Sequence, residues 1–222
     1  MSQIMINKNK VKVILNPVVL QNLCVMRDKN TDTQNIRIAA RKITRCLLYE
    51  AATNLPLVKQ PVTTPIATFD ALTINPDINI IISPILRAGL IFTDEAIDIL
   101  PQACIRHIGM YRDEQTLKPI WYYNKVPMNA ENPTNIYVYI TDPMLATGNS
   151  MLNAIDLYVS KGIPVSNIKC ICIISAPEGL YNIQQKYPDI EIITASIDEG
   201  LNDKGYIVPG MGDAGDRIFN TL

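Results

Sequence analysis

Histidine is nearly missing: His107 is the only one in 222 residues. That argues against a metal centre built on imidazoles and against a Ser-His-Asp triad of the usual kind. His107 itself reads as a strand residue rather than a catalyst. An excess of either charge is missing too: 20 Lys and Arg stand against 21 Asp and Glu, a net charge of −1. This disfavours a broad electrostatic surface for nucleic acid and leaves only a local basic patch open. No apolar run reaches the roughly 18 residues of a membrane-spanning helix. The start, Met1 to Lys10, is polar and lacks the apolar centre of a signal peptide. CxxC spacing is absent. The five cysteines, Cys24, Cys46, Cys104, Cys170 and Cys172, are odd in number and scattered among apolar neighbours. They read as reduced, buried thiols of a cytoplasmic protein. Cys170 and Cys172 share one strand face, which suits packing better than zinc. Internal repeats and low-complexity segments are absent.

What is present is apolar. Hydrophobic residues make up 48% of the chain and charged ones 18%, enough to bury a large core. The length fits one α/β domain with an appendage, or two small domains. Residues 1–10 read as a flexible tail, Val11 to Leu15 as a short strand, and Val18 to Arg27 as a helix that Asp28-Lys29-Asn30-Thr31 breaks. Asp32 or Thr31 then caps a longer helix to about Thr53. Its Ile36, Ala39, Ala40, Ile43, Leu47 and Ala51 fall at three- and four-residue steps, so one face packs. Residues 57–73, rich in Val, Thr and Ile with prolines between, read as an irregular β-ribbon at a sheet edge. From residue 78, strands and helices alternate. Strands are expected over 78–82, 103–110, 136–141, 168–174 and 190–196, with helices to about Leu100 and over 151–161 and 178–186. That alternation implies a parallel sheet with right-handed crossovers. Ligands then sit beyond the carboxyl ends of its strands.

Four segments carry chemistry. In the first, the strand Ile136 to Thr141 ends at Asp142, and the small turn Ala146-Thr147-Gly148-Asn149-Ser150 opens a helix near Met151. Unpaired amides at a helix start favour an anion, and Thr147 and Ser150 add hydroxyls. A phosphate suits the turn, and Asp142 suits sugar hydroxyls; an ordinary strand–turn–helix connection has the same pattern. The second is Ser83-Pro84-Ile85-Leu86-Arg87-Ala88-Gly89, where Arg87 can fork onto a phosphate or simply open a helix at the surface. The third is residues 109–119, one side of a hairpin with Pro119 to Val126 as its other arm. Its polar tip would bring Arg112, and more weakly Lys118, over a site, or remain a solvated turn. The fourth is residues 205–219, whose Gly205, Gly210, Gly212 and Gly215 argue against a regular helix or strand. Such a loop exposes backbone donors and acceptors that could read a flat heterocycle, with Asp213 placed for a Mg²⁺-bound ligand; a structural loop is the alternative.

These segments in this order resemble the uracil phosphoribosyltransferase family over nearly the whole chain, from Arg27-Asp28-Lys29-Asn30-Thr31 to the C-terminus. The matching motifs are Pro84 to Gly89, Tyr111-Arg112-Asp113-Glu114, Tyr122-Tyr123-Asn124-Lys125, Asp142-Pro143-Met144-Leu145-Ala146-Thr147-Gly148, Ala176-Pro177-Glu178-Gly179 and Gly205 to Arg217. Pro143 stands where most phosphoribosyltransferases carry a second acidic residue, as in the uracil family. Three positions depart from the family pattern: Asn149 and Asn220 replace glycines, and Ile91 replaces a small residue. They bear on affinity more than on reaction type.

The resemblance implies an α/β protein of the type I phosphoribosyltransferase fold. It has a central, mostly parallel sheet flanked by helices, a C-terminal hood and a protruding β-hairpin. Residues 1–222 would form one domain, with 205–222 as base-recognition loop and hood. The implied reaction is pyrimidine salvage: transfer of 5-phosphoribosyl from 5-phosphoribosyl 1-diphosphate to N1 of uracil, giving UMP and diphosphate. By the same resemblance Arg87, Arg112 and Asp213 are the catalytic set. The diphosphate substrate would be bound by Arg87, Arg112, Asp142, Pro143, Met144, Leu145, Ala146, Thr147, Gly148, Asn149, Ser150 and Asp213. Within that set the turn 146–150 would hold the 5′-phosphate and Asp142 the ribose hydroxyls. Uracil would be read by the backbones of Ile207, Gly212 and Ala214, with Asp213 beside them. Mg²⁺ would arrive on the diphosphate and meet Asp213. Strain, including a non-proline cis peptide, is expected near Leu86–Arg87. Family members form dimers or tetramers, and some respond to GTP, for which no site can be placed. A catalytically weak homologue acting as a nucleotide sensor or regulator is the alternative that Asn149 favours. An RNA-binding regulator would want a basic face, which this chain lacks. A purine-specific enzyme fits neither the Asp142-Pro143 pair nor the 205–217 loop.

Overall fold

The computed structural model describes residues 6–112, 119–124, 126 and 132–221. The chain opens with strand β1 (Val11–Val13) and helices α1 (Pro17–Arg27) and α2 (Thr33–Ala51). Of the expected tail, residues 1–5 lie outside the described residues, while the Asn7 amide donates to Gln184 Oε1 at 2.8 Å. Of the two capping candidates the chain uses Asp32, which accepts from the Asn35 amide at 2.8 Å. The six apolar positions expected on one face of α2 are all buried.

Strands β2 (Leu57–Thr63) and β3 (Thr68–Ile74) form a hairpin. Here the structure corrects the sequence reading: the ribbon is a separate two-stranded sheet, not an edge of the main one. None of its strand residues is buried, and of them only Ile74, at the base of the ribbon, packs against the core. Next come β4 (Asn79–Leu86), a 3₁₀ turn (Ala88–Phe92) and α3 (Thr93–Ile99). β4 runs four residues past its expected end at Ile82. Pro84 is tolerated because it falls between the stretches where β4 pairs β5 (Cys104–Ile105) and β6 (Ile108–Arg112). The expected strand over 103–110 is thereby split, and His107 sits in the connection between its halves.

The rest of the chain is β7 (Pro119–Asn124), β8 (Ile136–Thr141), β9 (Met144–Leu145), α4 (Asn149–Val159), β10 (Ile168–Ser175), α5 (Pro177–Lys186) and β11 (Glu191–Ile197), then β12 (Gly200–Leu201), β13 (Ile207–Val208) and α6 (Ala214–Phe219). Strand β13 and helix α6 lie inside the segment expected to be irregular. The Asp213 cap and the burial of Ala214 and Ile218 offset the glycine cost there.

The main sheet runs β1-β11-β10-β8-β4-β6-β7, with β5 on β4 and β9 on β10. Every pairing is parallel except β6 with β7. Both faces are covered, which explains the continuous apolar runs. Ile80, Ile82, Tyr139, Ile171 and Ile173 point to a core shared with α1, α2, α3 and α6. Their neighbours Ile81, Val138, Ile140, Cys170 and Cys172 point to the other, shared with α4 and α5. Cys170 and Cys172 are thus packing residues, as expected. Cys24 and Cys104 are exposed, against the expectation of burial, and all five thiols are free. Among the described residues no helix is long and apolar enough to cross a membrane.

Candidate active site

The parallel strands β4, β8, β10 and β11 end on one edge of the sheet, and the candidate residues gather there. Asp142 follows β8 directly. It is desolvated on its protein side and partly open toward a pocket of about 80 Å³. Burial pushes its carboxyl up to about 7, opposed only in part by the Met144 amide, which donates to Oδ1 at 3.3 Å. The pocket wall is Asp142 and residues 144–151, so the structure brings the acid and the turn together as the sequence implied. Pro143 is not in that wall. It is buried, and its carbonyl accepts from the Ile173 and Ile174 amides at 2.9 Å, fastening the turn to β10.

The turn is held from behind by α5. Gly148 has φ 82 and precedes α4 without a side-chain cap, leaving the first-turn amides of that helix for an anion. A Cβ at Gly148 would lie 2.8 Å from the Gly179 carbonyl oxygen, and one at Gly179 only 2.4 Å from that of Ala146. Asn182 Nδ2 donates to the Thr147 carbonyl at 2.9 Å. Asn149 is the first residue of α4 and exposed, as are Thr147 and Ser150. Its side chain therefore points away from the packed side of the turn. Gly179 and Asn182 had no role assigned from sequence; Gly179 belongs to a recognised motif, but only the close approach explains it.

Arg87 follows β4 across a cis Leu86–Arg87 peptide, as expected. A Cβ at Gly89 would meet the Thr141 carbonyl oxygen at 2.5 Å, so this turn packs against the end of β8. Arg87 Nη2 lies 3.3 Å from Asp216 Oδ1. A Cβ at Gly215 would touch both the Asp213 carboxylate, at 3.3 Å, and Arg87 Nη2, at 3.9 Å. Arg87 and Asp213 are thus brought together. Arg112 ends β6 opposite Pro119; its side chain, Lys118 and the tip 113–118 lie outside the described residues.

In the C-terminal segment Ile207 and Ala214 bury their side chains, and Gly212 is exposed with φ 78. Asp213 is exposed and caps α6, its Oδ1 accepting from the Asp216 amide at 2.9 Å. Among the described residues no group of three or more His, Cys, Asp or Glu could hold a metal. The exposed Asp213 carboxylate, near Arg87 and its partner Asp216, fits a cation carried in by an anionic ligand rather than one held by the protein alone. The sequence reading missed the partners of this segment, Arg27 and Asp198. A buried acid just past a strand end was the available signal.

A sheet of this order, with an acid and a glycine turn at the carboxyl end of its β8, has the fold of the type I phosphoribosyltransferases. An adenine phosphoribosyltransferase from Trypanosoma brucei, in complex with AMP, pyrophosphate and ribose-5-phosphate, superposes with a TM-score of 0.57. It is 13% identical and covers 92% of this chain and 88% of its own. The family model Uracil phosphoribosyltransferase matches residues 13–221, and the chain belongs to that family. A uracil phosphoribosyltransferase of Dictyoglomus thermophilum is 46% identical, over 94% of this chain and 98% of its own. One from Streptococcus mutans is 43% identical, over 96% and 99%. The AQ2163 protein from Aquifex aeolicus superposes with a TM-score of 0.83 at 34% identity, over 94% and 97%.

Proposed function

We propose that this enzyme transfers 5-phosphoribosyl from 5-phosphoribosyl 1-diphosphate to N1 of uracil, releasing UMP and diphosphate. The observation that carries the reading is the pocket after β8. There one acid, Asp142, faces a turn whose α4 amides await an anion, in a chain matched by the family nearly end to end. The turn 146–150 holds the 5′-phosphate and Asp142 accepts from the ribose hydroxyls. As diphosphate leaves, C1′ gains positive, oxocarbenium-like character. Arg87 and Arg112 stabilise the charge growing on the leaving group. Mg²⁺, met by Asp213, would add to that stabilisation when bound. Ile207, Gly212 and Ala214 present backbone groups to O2, N3–H and O4 of uracil and hold N1 near C1′. Cytosine reverses the donor–acceptor sense at its 4-position and would leave groups unpaired.

The sensor reading is not favoured, because Asn149 is accommodated as the exposed first residue of α4. The proposal includes one domain over 1–222, assembly as a homodimer or homotetramer and a response to GTP, taken from the resemblance, and a cytoplasmic location, taken from the cysteine pattern. The test is UMP formation from uracil and the diphosphate substrate with Mg²⁺, with cytosine, hypoxanthine and adenine as controls. Turnover with uracil alone is expected. Binding of the diphosphate substrate without turnover would restore the sensor reading. Adding GTP to the assay and measuring mass in solution check two of the remaining readings.

A further inference from the structure

A partly buried ion pair outside the proposed chemistry reaches the loop assigned to the base. Arg27 closes α1. Asp198 follows β11 with its side chain 2% exposed. The two meet as a fork: Arg27 Nη2 donates to Asp198 Oδ1 at 2.6 Å and Nη1 to Oδ2 at 2.7 Å. A carboxylate buried in this way is costly unless its remaining acceptor sites are also satisfied. One residue satisfies both partners. The Gly210 amide donates to Asp198 Oδ2 at 2.8 Å, and the Gly210 carbonyl accepts from Arg27 Nη1 at 2.7 Å. Ser196 Oγ closes the ring, donating to Asp198 Oδ1 at 2.7 Å and accepting from Arg27 Nη2 at 3.1 Å. Burial alone would raise the Asp198 carboxyl. Hydrogen bonds from Arg27, Ser196 and the Gly210 amide outweigh it and hold the group below its ordinary range.

Gly210 is folded tightly over the residue assigned to uracil. Its φ is +59, and a Cβ there would lie 2.2 Å from the Ile207 carbonyl oxygen. The next carbonyl, of Met211, accepts from Arg217 Nη1 at 2.7 Å, and the same nitrogen holds the Met26 carbonyl at 2.6 Å. Both carbonyls before Gly212 are thus taken by guanidinium groups, and both guanidinium groups tie the loop to the end of α1.

We propose that the Arg27–Asp198 pair is a positioning device for base recognition: by fixing both backbone groups of Gly210 it sets Ile207 on one side and Gly212 to Ala214 on the other in the arrangement that reads uracil. This rests on the reading that the 207–214 backbone binds the base. A pair that served stability alone would act on both substrates equally; this one acts on the base.

The test is steady-state kinetics with each substrate varied separately, on wild type, Asp198→Asn, Arg27→Lys and Ser196→Ala, with the melting temperature of each. Asp198→Asn keeps the shape and removes the charge. Its KM for uracil is expected to rise roughly tenfold while that for the diphosphate substrate stays within about twofold. Arg27→Lys retains the charge but loses the fork and should show the same split. Ser196→Ala leaves both Gly210 bonds in place and should raise the uracil KM by only about twofold. If Asp198→Asn does not fold, the split in the other two decides. Both KM values rising together, or a fall in melting temperature with neither KM moved, would make the pair merely structural and overturn the proposal alone. Wild-type protein inactive on uracil would instead overturn the functional reading, and this proposal with it.

Discussion

Asp142 sits near its midpoint at neutral pH. Burial holds its carboxyl at about 7, against roughly 3.9 in an unfolded chain. As pH rises the unfolded state loses this proton first. The cost of burying the group is therefore absent below about pH 4 and complete above about pH 7, so Asp142 favours the fold most in acid. A raised acid at a pocket mouth is common at functional sites. Ribose hydroxyls donate to the ionised form, so binding draws the proton off. Affinity for the diphosphate substrate is expected to rise as pH passes through about 7. Asp142→Asn should flatten that limb and weaken binding roughly tenfold. The substrate's own phosphate titrates near pH ~6 in both proteins, so the difference between the two profiles is the readout. Parallel profiles would separate Asp142 from the ribose. Arg112 makes a second prediction at this scale. Arg112→Ala should cut turnover by about a hundredfold or more with the fold intact by circular dichroism. Unchanged kinetics would remove it from the mechanism.

Helix α5 acts on the site without entering it. Its Gly179 lets the Ala146 carbonyl approach, and its Asn182 turns the Thr147 carbonyl toward itself. Each carbonyl held there faces away from an incoming anion. Gly179→Ala places a methyl against backbone, which has no flexible end to yield. It is expected to lower the melting temperature and raise the KM for the diphosphate substrate more than tenfold, by displacing the turn. Asn182→Ala removes one exposed hydrogen bond and should cost about 1 kcal/mol or less. Equal effects of both changes on uracil and diphosphate KM values would mean that α5 supports the fold generally. Elements with their own periodicity were legible in the sequence. α2, α4 and α5 carry 3.6-residue patterns, β8 and β10 are near-continuous apolar runs, and each begins at a recognisable cap or turn. What was not legible depends on distant partners. β4 continues through Pro84 only because its neighbour changes from β5 to β6 at that point. The β2–β3 hairpin stands apart because both its faces are exposed. Helix α6 forms in a glycine-rich stretch because α2 supplies a surface for Ile218, and Arg37 Nε donates to the Ile218 carbonyl at 2.7 Å. The site followed the same rule. Single residues at strand ends could be named from the sequence. The contacts that aim them, from Gly179, Asn182, Arg27 and Asp198, join positions far apart in the chain.

Across the whole molecule the sheet separates two halves of the site. The helix that the phosphate turn opens, α4, packs with α5 on one face, and the base loop packs with α2 on the other, where Ala146 of the turn also rests. The substrate with a phosphate at one end and a diphosphate at the other would join them across the carboxyl edge. A ligand bound only by the folded state stabilises it by about 2.7 kcal/mol at a hundredfold excess over Kd. For a chain of this size that is a rise of roughly 5–10 °C in melting temperature. This rise is expected with the diphosphate substrate and Mg²⁺ together. With a chelator it should shrink, because Arg87 and Arg112 alone then face the diphosphate charge. Asp213 offers a way to separate metal binding from folding. Its present structural task is to cap α6 through Oδ1, and asparagine caps a helix about as well as aspartate. Asp213→Asn should therefore melt like wild type when free. It should still gain stability from the substrate, yet lose most of the increment that Mg²⁺ adds. A lower melting temperature in the free variant would show that the charge, not the cap, holds α6 in place. An undiminished Mg²⁺ increment would take Asp213 out of the metal's surroundings and leave the leaving group to the two arginines.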